Sequence, residues 1–272
     1  MTGEHPDGRR GTRAALRRNR ALRTAAALYR HRVCGPDDVV VASYPKSGNT
    51  WLKFLLADVL IDADPDFARS ERAIPLLGSA AGSAVLPGGG HLWKSHEPYS
   101  PLYRRRCRRA VYLVRDARDV AISEYHFLTR KGRFDGDLDA FLDVFLAGSA
   151  DGYGSWDAHV ASWCDGWRGA QRDRISVRYE DMLADCEATL AGVLRFLGAD
   201  VPGRRVARAV ERNSFARMRA KEIAGAGGQA PMGSRAQVRA GTAGQWRSQL
   251  SAGQQARFWA AMPQLARMGY EE

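Results

Sequence analysis

The sequence predicts an α/β fold: a central parallel sheet flanked by helices, with a P-loop-like nucleotide-binding architecture. Three observations predict it. The runs Val39–Ser43 and Arg108–Val114 carry the continuously apolar, valine-rich stretches Val39–Ala42 and Ala110–Val114, as strands buried on both faces do. Each run is followed at once by a segment with helical spacing, which is how parallel strands are connected. Between the first run and its helix stands Lys46-Ser47-Gly48-Asn49-Thr50, a turn rich in groups that hold anions.

The elements follow in chain order. Residues 1–12 are polar and glycine-containing and read as loose. Arg13–Arg32 has a weak apolar stripe, Leu16, Leu22, Ala26 and Tyr29, and predicts a helix that "CGPDD" breaks. Val39–Ser43 is the first strand and Thr50–Leu60 the helix after it. Asp62–Gly90 reads as a loop-rich segment ending in "PGGG", and "HLWKSH" as a short strand. Arg108–Val114 is the next strand, with "ARDVAISEYHFL" as its helix. "DLDAFLDVFLAG" and "SWDAHVASWCDGW" have helical spacing. "RISVRYEDM" reads as a further strand, and "ADCEATLAGVLRFLG" as a helix stopped by Gly198. Arg219–Gly244 has the Gly- and Ala-rich composition of a flexible loop. No internal repeat is present.

A chain of 272 residues with 45% apolar content supports one sizeable core. We divide it into a basic arm, residues 1–35, and one domain, residues 36–272. No apolar run approaches the roughly 18 residues of a membrane span, and no signal-like apolar stretch opens the chain. A cytoplasmic location is therefore expected. Cys34, Cys107, Cys164 and Cys186 are scattered singly, without zinc-ligand spacing, and read as reduced, mostly buried thiols.

The net charge of +11 is concentrated in the arm, where nine arginines against Glu4 and Asp7 leave +7. Such an arm suits nucleic acid, anionic lipid or an acidic partner, or an Arg-rich transit peptide, but an idle solvated arm is the plainer reading. Only five of the 41 basic residues are lysines, which suggests a G+C-rich coding sequence.

Three places carry chemistry. At the first turn, Gly48 permits close backbone approach, the helix start supplies N–H groups, Lys46 adds a cation, and Ser47 and Thr50 add hydroxyls. An ordinary turn with a threonine cap would look the same. The lysine precedes the glycine here, and the first glycine of a triphosphate-binding loop is missing, so the loop should wrap fewer phosphates. At the second place, Arg115 ends a strand and Ser123 lies eight residues on. The pair suits a phosphate, although by itself an Arg115–Asp119 ion pair with Ser123 incidental is the plainer reading. The third is Lys94-Ser95-His96, whose imidazole suits base work near neutrality, though an isolated histidine is more often structural.

Taken together, these segments resemble the cytosolic-type sulfotransferases, which use 3′-phosphoadenosine 5′-phosphosulfate (PAPS). The resemblance runs from about Val39 to Leu250. "YPKSGNTW" resembles the family's 5′-phosphosulfate loop and "RDARDVAISEYHF" its 3′-phosphate motif. "GSWDAHVASW", "VRYEDM" and "RAGTAGQW" resemble three further blocks in the same order.

The resemblance implies a sulfotransferase fold, a PAPS co-substrate released as adenosine 3′,5′-bisphosphate (PAP), and no metal. Lys46 should contact the bridging or sulfuryl oxygens, and Ser47, Gly48, Asn49 and Thr50 the 5′-phosphate. Trp51, Tyr179 and Phe215 should border adenine. Arg115 and Ser123 should hold the 3′-phosphate, with Arg239 and Gly241 closing over it. His96 matches the catalytic base and Lys94 its cationic neighbour. Asn49 stands where threonine is usual, and Ala240 replaces a lysine, which removes one phosphate contact. No C-terminal dimer motif of the vertebrate members is present, so the oligomeric state stays open.

The acceptor expected is the hydroxyl of a small molecule. Its pocket should draw on Pro65–Trp93 and Phe127–Trp156, with Leu76, Leu77, Leu86, Tyr99, Phe134 and Phe145 as candidate apolar lining. The arginine bias suggests a bacterial enzyme of specialised metabolism acting on a phenol, sugar or nucleoside antibiotic. Two rivals are weighed: a P-loop small-molecule kinase, which wants the absent first glycine, and a basic nucleic-acid-binding protein, for which no reading motif is evident.

Overall fold

A computed structural model describes residues 26, 28–79, 82–167, 173–225 and 241–272. The expected basic arm therefore lies mostly outside the described residues, and so do Arg239 and Ala240. The sheet has four parallel strands in the order β2-β1-β3-β4: β1 (Val39–Ser43), β2 (Leu92–Ser95), β3 (Arg109–Val114) and β4 (Arg174–Arg178). This is the predicted α/β class.

The run of small and β-branched side chains makes β1 central, and all five of its residues are buried. Alternation divides them between two cores. Val40 and Ala42 join Ala110, Tyr112 and Val114 on one face. Val39 and Val41 join Val111, Leu113 and Val177 on the other.

Helices cover both faces. On the second, α1 (Asn49–Ile61) buries Leu52, Leu55, Leu56 and Val59, which share one face at helical spacing. Each such side chain contributes roughly 1.5–3 kcal/mol on burial. The first face receives α4 (Ala117–Arg130), α5 (Leu138–Leu146) and α6 (Trp156–Gly166), reached after α2 (Phe67–Ala73) and α3 (Pro101–Cys107). Asp116, Asp137 and Ser155 each cap a helix by accepting a first-turn N–H. After β4 come α7 (Tyr179–Ala184), α8 (Cys186–Leu197), α9 (Gly203–Arg212), α10 (Phe215–Gly225), α11 (Trp246–Gln249), α12 (Ala252–Ala261) and α13 (Gln264–Arg267). Gly198 ends α8 at φ 76°, as its position predicts.

Several expectations change. The strand at "RISVRYEDM" stops at Arg178, because Glu180 and Asp181 favour the start of a helix and Tyr179 opens α7. The loop-rich Asp62–Gly90 contains α2, whose start Asp66 caps through the Arg69 N–H. Arg108 belongs to the end of α3, with φ 48°, and not to β3. The expected loop from Arg219 is helical as far as Gly225. Among the described residues no helix is long and apolar enough to cross a membrane.

The strand order places the site. From β1 the chain leaves toward β2, and from β3 it leaves the opposite way toward β4. The crevice beyond the C-terminal ends of β1 and β3 is thus a topological switch point, where open α/β sheets bind ligands.

Candidate active site

The first wall of the crevice is the turn from β1 into α1. Lys46 and Gly48 both have positive φ, 64° and 98°. Such a turn gathers main-chain N–H groups into an anion-binding concavity. The first N–H groups of α1 add to it, since a helix cannot satisfy them internally. Gly48 is required for a second reason: a Cβ there would lie 2.5 Å from Cδ2 of Tyr179. The Asn49 side chain turns away, its Nδ2 donating to the Val41 carbonyl at 3.3 Å and to Ser43 Oγ at 3.0 Å. Asn49 thus fastens α1 to β1 and can offer an anion only its main chain. Trp51 donates from Nε1 to the Asn213 carbonyl at 2.8 Å, which fixes its indole beside Tyr179.

The second wall begins at the end of β3. Arg115 is buried, and its guanidinium lies 4.4 Å from the centroid of the Tyr179 ring. Nη1 donates to the Lys46 carbonyl at 3.4 Å and Nη2 to the Thr242 carbonyl at 2.9 Å. Nε has no partner. The Arg115–Asp119 ion pair is present at 3.5 Å, but Asp119 has closer partners: its carboxylate accepts the Gly244 N–H at 2.7 Å and the Trp246 N–H at 3.2 Å. Asp119 therefore holds the segment around Gly244 against Arg115. Gly241, at φ 64°, is packed so that a Cβ would fall 2.3 Å from Cδ2 of Phe215.

The third wall is the end of β2. Nδ1 of His96 lies 2.9 Å from the Ser43 carbonyl, which can only accept, so Nδ1 carries the proton and Nε2 the lone pair. The His96 carbonyl is held in turn by Nε2 of the buried His159, whose Nδ1 pairs with the Tyr112 hydroxyl at 3.0 Å. Burial, reinforced by the Lys94 charge, pushes the His96 imidazole down to about 3, so it is neutral near pH 7. Burial also lowers Lys46 and Lys94, each to about 8. Lys46 Nζ rests 4.1 Å from the centroid of the Phe127 ring.

These walls enclose a single cleft of about 490 Å³, within the range of small-molecule sites. Lys46, Gly48, Asn49, Thr50, Trp51, Lys94, His96, Arg115, Ser123, Tyr179, Phe215 and Gly241 all line it.

Comparison with known proteins identifies the family. The sulfotransferase domain family model matches residues 36–268. The chain belongs to the sulfotransferase family. Sulfotransferase 1A1 of the dog is 31% identical over 82% of this chain and 81% of its own length. Bovine sulfotransferase 1A1 is 32% identical over 68% of this chain, a match that spans 66% of that relative. In fold, the chain is similar to retinol dehydratase, solved in complex with androsterone and the inactive cofactor PAP. The TM-score there is 0.68 at 22% identity, covering 88% of this chain and 83% of that one.

In this sulfotransferase Ser47 is buried with an unpartnered Oγ. Arg239 lies outside the described residues. None of the six apolar residues expected around the acceptor lines the cleft. Leu77, Leu86 and Phe145 are core, and Leu76 is 46% exposed. Tyr99 stacks among Tyr103, Trp163 and Trp167, and Phe134 against Tyr125 and Phe141. The cleft uses Glu124, Phe127, Leu128, Arg133, Asp151 and Tyr153 instead. Glu124, Phe127 and Leu128 follow Ser123 at helical spacing, a signal the sequence offered. Asp151 and Tyr153 come from a loop whose path nothing in the sequence specifies.

Proposed function

We propose that this sulfotransferase moves a sulfuryl group from PAPS to a hydroxyl of a small-molecule acceptor. The observation that carries the reading is the junction of the two anion-binding turns, where Arg115 donates to the Lys46 carbonyl. Lys46 and Arg115 thus lie in one cleft, suited to opposite ends of one bisphosphorylated nucleotide. The residues fit that ligand: Arg115 keeps a buried, unpartnered Nε, and Gly48 leaves the loop without a Cβ. A solved relative of the same fold holds PAP, which supports the same assignment.

When bound, PAPS supplies a sulfuryl group that is displaced in line, the acceptor oxygen bonding to sulfur as the bond to the bridging oxygen breaks. The chain then has three tasks. Gly48, Asn49 and Thr50 offer main-chain N–H groups to the 5′-phosphate, while Arg115 and Ser123 face the 3′-phosphate. Trp51, Tyr179 and Phe215 flank the base. Lys46 and Lys94 receive the charge that develops on the leaving oxygen, in a site dry enough for that charge to matter. His96 takes the acceptor proton on Nε2 and is oriented for it through Ser43 and His159. The acceptor class we favour is a specialised metabolite bearing a phenolic, sugar or nucleoside hydroxyl.

Incubation with labelled PAPS and a panel of such hydroxyl compounds tests the reading. Transfer of label to an acceptor, abolished by excess PAP, is expected. Absence of both transfer and PAP binding would reject it.

A further inference from the structure

Among the described residues the most exposed large apolar side chains are Tyr29, Leu28 and Leu76, at 56, 52 and 46%. They gather around one helical turn. Leu28 and Tyr29 belong to that turn, residues 28–31, which precedes β1. Gly78, two residues after Leu76, packs against it: a Cβ there would lie 2.3 Å from Cγ of Arg30. The Leu76 segment is fixed to β2, where Lys94 donates its N–H to the Pro75 carbonyl at 2.8 Å and accepts the Leu77 N–H at 2.8 Å.

The charge around these side chains is one-sided. Helix α3 packs beside the turn, with the His31 ring 4.4 Å from the Tyr103 ring and Cys34 and Cys107 in one core. Tyr103 and Cys107 turn inward one helical turn apart, so Arg104, Arg105 and Arg106 fall on the outer side. All three are exposed, as are Arg108 and Arg32. Arg32 covers the Tyr29 ring at 3.7 Å and donates from Nη2 to its hydroxyl at 2.8 Å. The acids nearby are mostly committed. Glu97 is paired with Arg30, and Asp38 is buried and accepts from Gly35, His91 and Trp93. Asp37 stays exposed. No ion pair among the described residues uses Arg105, Arg106 or Arg108. The sequence before residue 26 adds seven arginines against Glu4 and Asp7.

We propose that this face docks on the surface of an anionic lipid bilayer. The arginines meet the headgroups, and Leu28, Tyr29 and Leu76 enter the interfacial layer. The docking goes beyond the transfer reaction and does not depend on it. Charge alone would fit any polyanion, so the apolar side chains distinguish the partner. Leucines held in water among arginines gain nothing from a nucleic-acid backbone, whereas they gain by leaving water at the headgroup boundary. An amphipathic tyrosine ring suits the same boundary. Each arginine close to an anionic leaflet adds about fivefold to the partitioning.

The test is flotation of the full-length protein with vesicles of phosphatidylcholine alone and of equal parts phosphatidylcholine and phosphatidylglycerol. The anionic vesicles should bind it at least about tenfold more tightly, by a margin that shrinks as salt is raised. Arg105→Gln, Arg106→Gln and Arg108→Gln combined should lower that binding by at least about tenfold. Leu28→Ser with Leu76→Ser should lower it by at least about threefold and leave its salt dependence unchanged. A melting temperature equal to that of the unaltered protein reports that each variant is folded. If a variant melts early, the vesicle preference of the unaltered protein decides. Equal binding to both vesicles, no binding to either, or binding unmoved by either set of substitutions would each overturn the proposal. So would displacement from the vesicles by a single-stranded oligonucleotide at equal phosphate concentration, which would assign the face to nucleic acid.

Discussion

Arg115 donates from Nη1 to the main-chain carbonyl of Lys46 at 3.4 Å, and so ties the turn after β3 to the turn after β1. Its Nη2 reaches the Thr242 carbonyl, while Nε stays buried and unpartnered. One guanidinium thus braces both turns and keeps a donor for a ligand. Arg115→Ala should weaken PAP binding by about 1.5–3 kcal/mol, roughly tenfold to over a hundredfold. Calorimetry checks this, and unchanged affinity would remove Arg115 from the nucleotide site.

Asp119 accepts two main-chain N–H groups from the segment that carries Thr242. Asp119→Asn keeps the shape but turns an amide NH₂ toward one of those donors. The segment should loosen, with a loss of PAP affinity larger than the loss in kcat. A titration of the variant beside its steady-state kinetics checks the split; equal losses would point to a general folding defect.

Gly48 combines a φ of 98° with a predicted Cβ contact 2.5 Å from the Tyr179 ring. Gly48→Ala should cost on the order of 1–3 kcal/mol of stability from backbone strain alone. It should also displace Tyr179 and weaken PAP binding. A thermal melt with and without PAP measures both effects, and a variant with normal melting and normal PAP response would contradict the packing described.

The pH dependence follows from the site's buried cations and base. Lys46 and Lys94 are held down to about 8, so the free protein loses the charges that attract the nucleotide as pH rises through 8. PAP affinity should therefore fall between about pH 7 and 9, well below the ordinary lysine range. His96 is pushed down to about 3, so its base form persists on the acid side. The acid limb of kcat/KM should not appear at the ordinary histidine value of about 6.5. An affinity flat to pH 9, or an acid limb centred near 6.5, would contradict these assignments.

His96→Ala should lower kcat by about 10²–10⁴-fold while leaving PAP affinity nearly unchanged. Single-turnover rates with labelled PAPS separate the two. Sulfation within about threefold of the unaltered protein would show that Nε2 is not the base.

The parallel sheet and the two turns after β1 and β3 were legible because local signals coincide there. Val39–Ser43 is buried on both faces and has no polar side to confuse its reading. Lys46, Gly48 and Arg115 lie within a few residues of strand ends, and Ser123 lies on the first turns of the helix after β3, so sequence position alone puts them near the crevice. The other half of the cleft was legible only as a range: Phe127–Trp156 supplies Phe127, Leu128, Arg133, Asp151 and Tyr153 to the cleft, whereas Pro65–Trp93 supplies no lining residue and the individual side chains were misjudged. Leu77, Leu86 and Phe145 are apolar like any cleft residue, and only packing shows that they are core. Asp151 and Tyr153 reach the cleft from a loop, and their proximity to His96 is a long-range fact. Position did not indicate that the Asn49 side-chain amide finds its partners in β1, which leaves its main chain for an anion.

The central claim is that one cleft grips both ends of a bisphosphorylated adenosine. Parallel titrations with PAP, adenosine 5′-monophosphate and adenosine 3′-monophosphate test it most directly. Each monophosphate should bind weaker than PAP by the energy of one charged site, roughly tenfold or more. Arg115→Ala should weaken PAP and the 3′-monophosphate but scarcely affect the 5′-monophosphate. Equal affinity for PAP and either monophosphate would contradict the account.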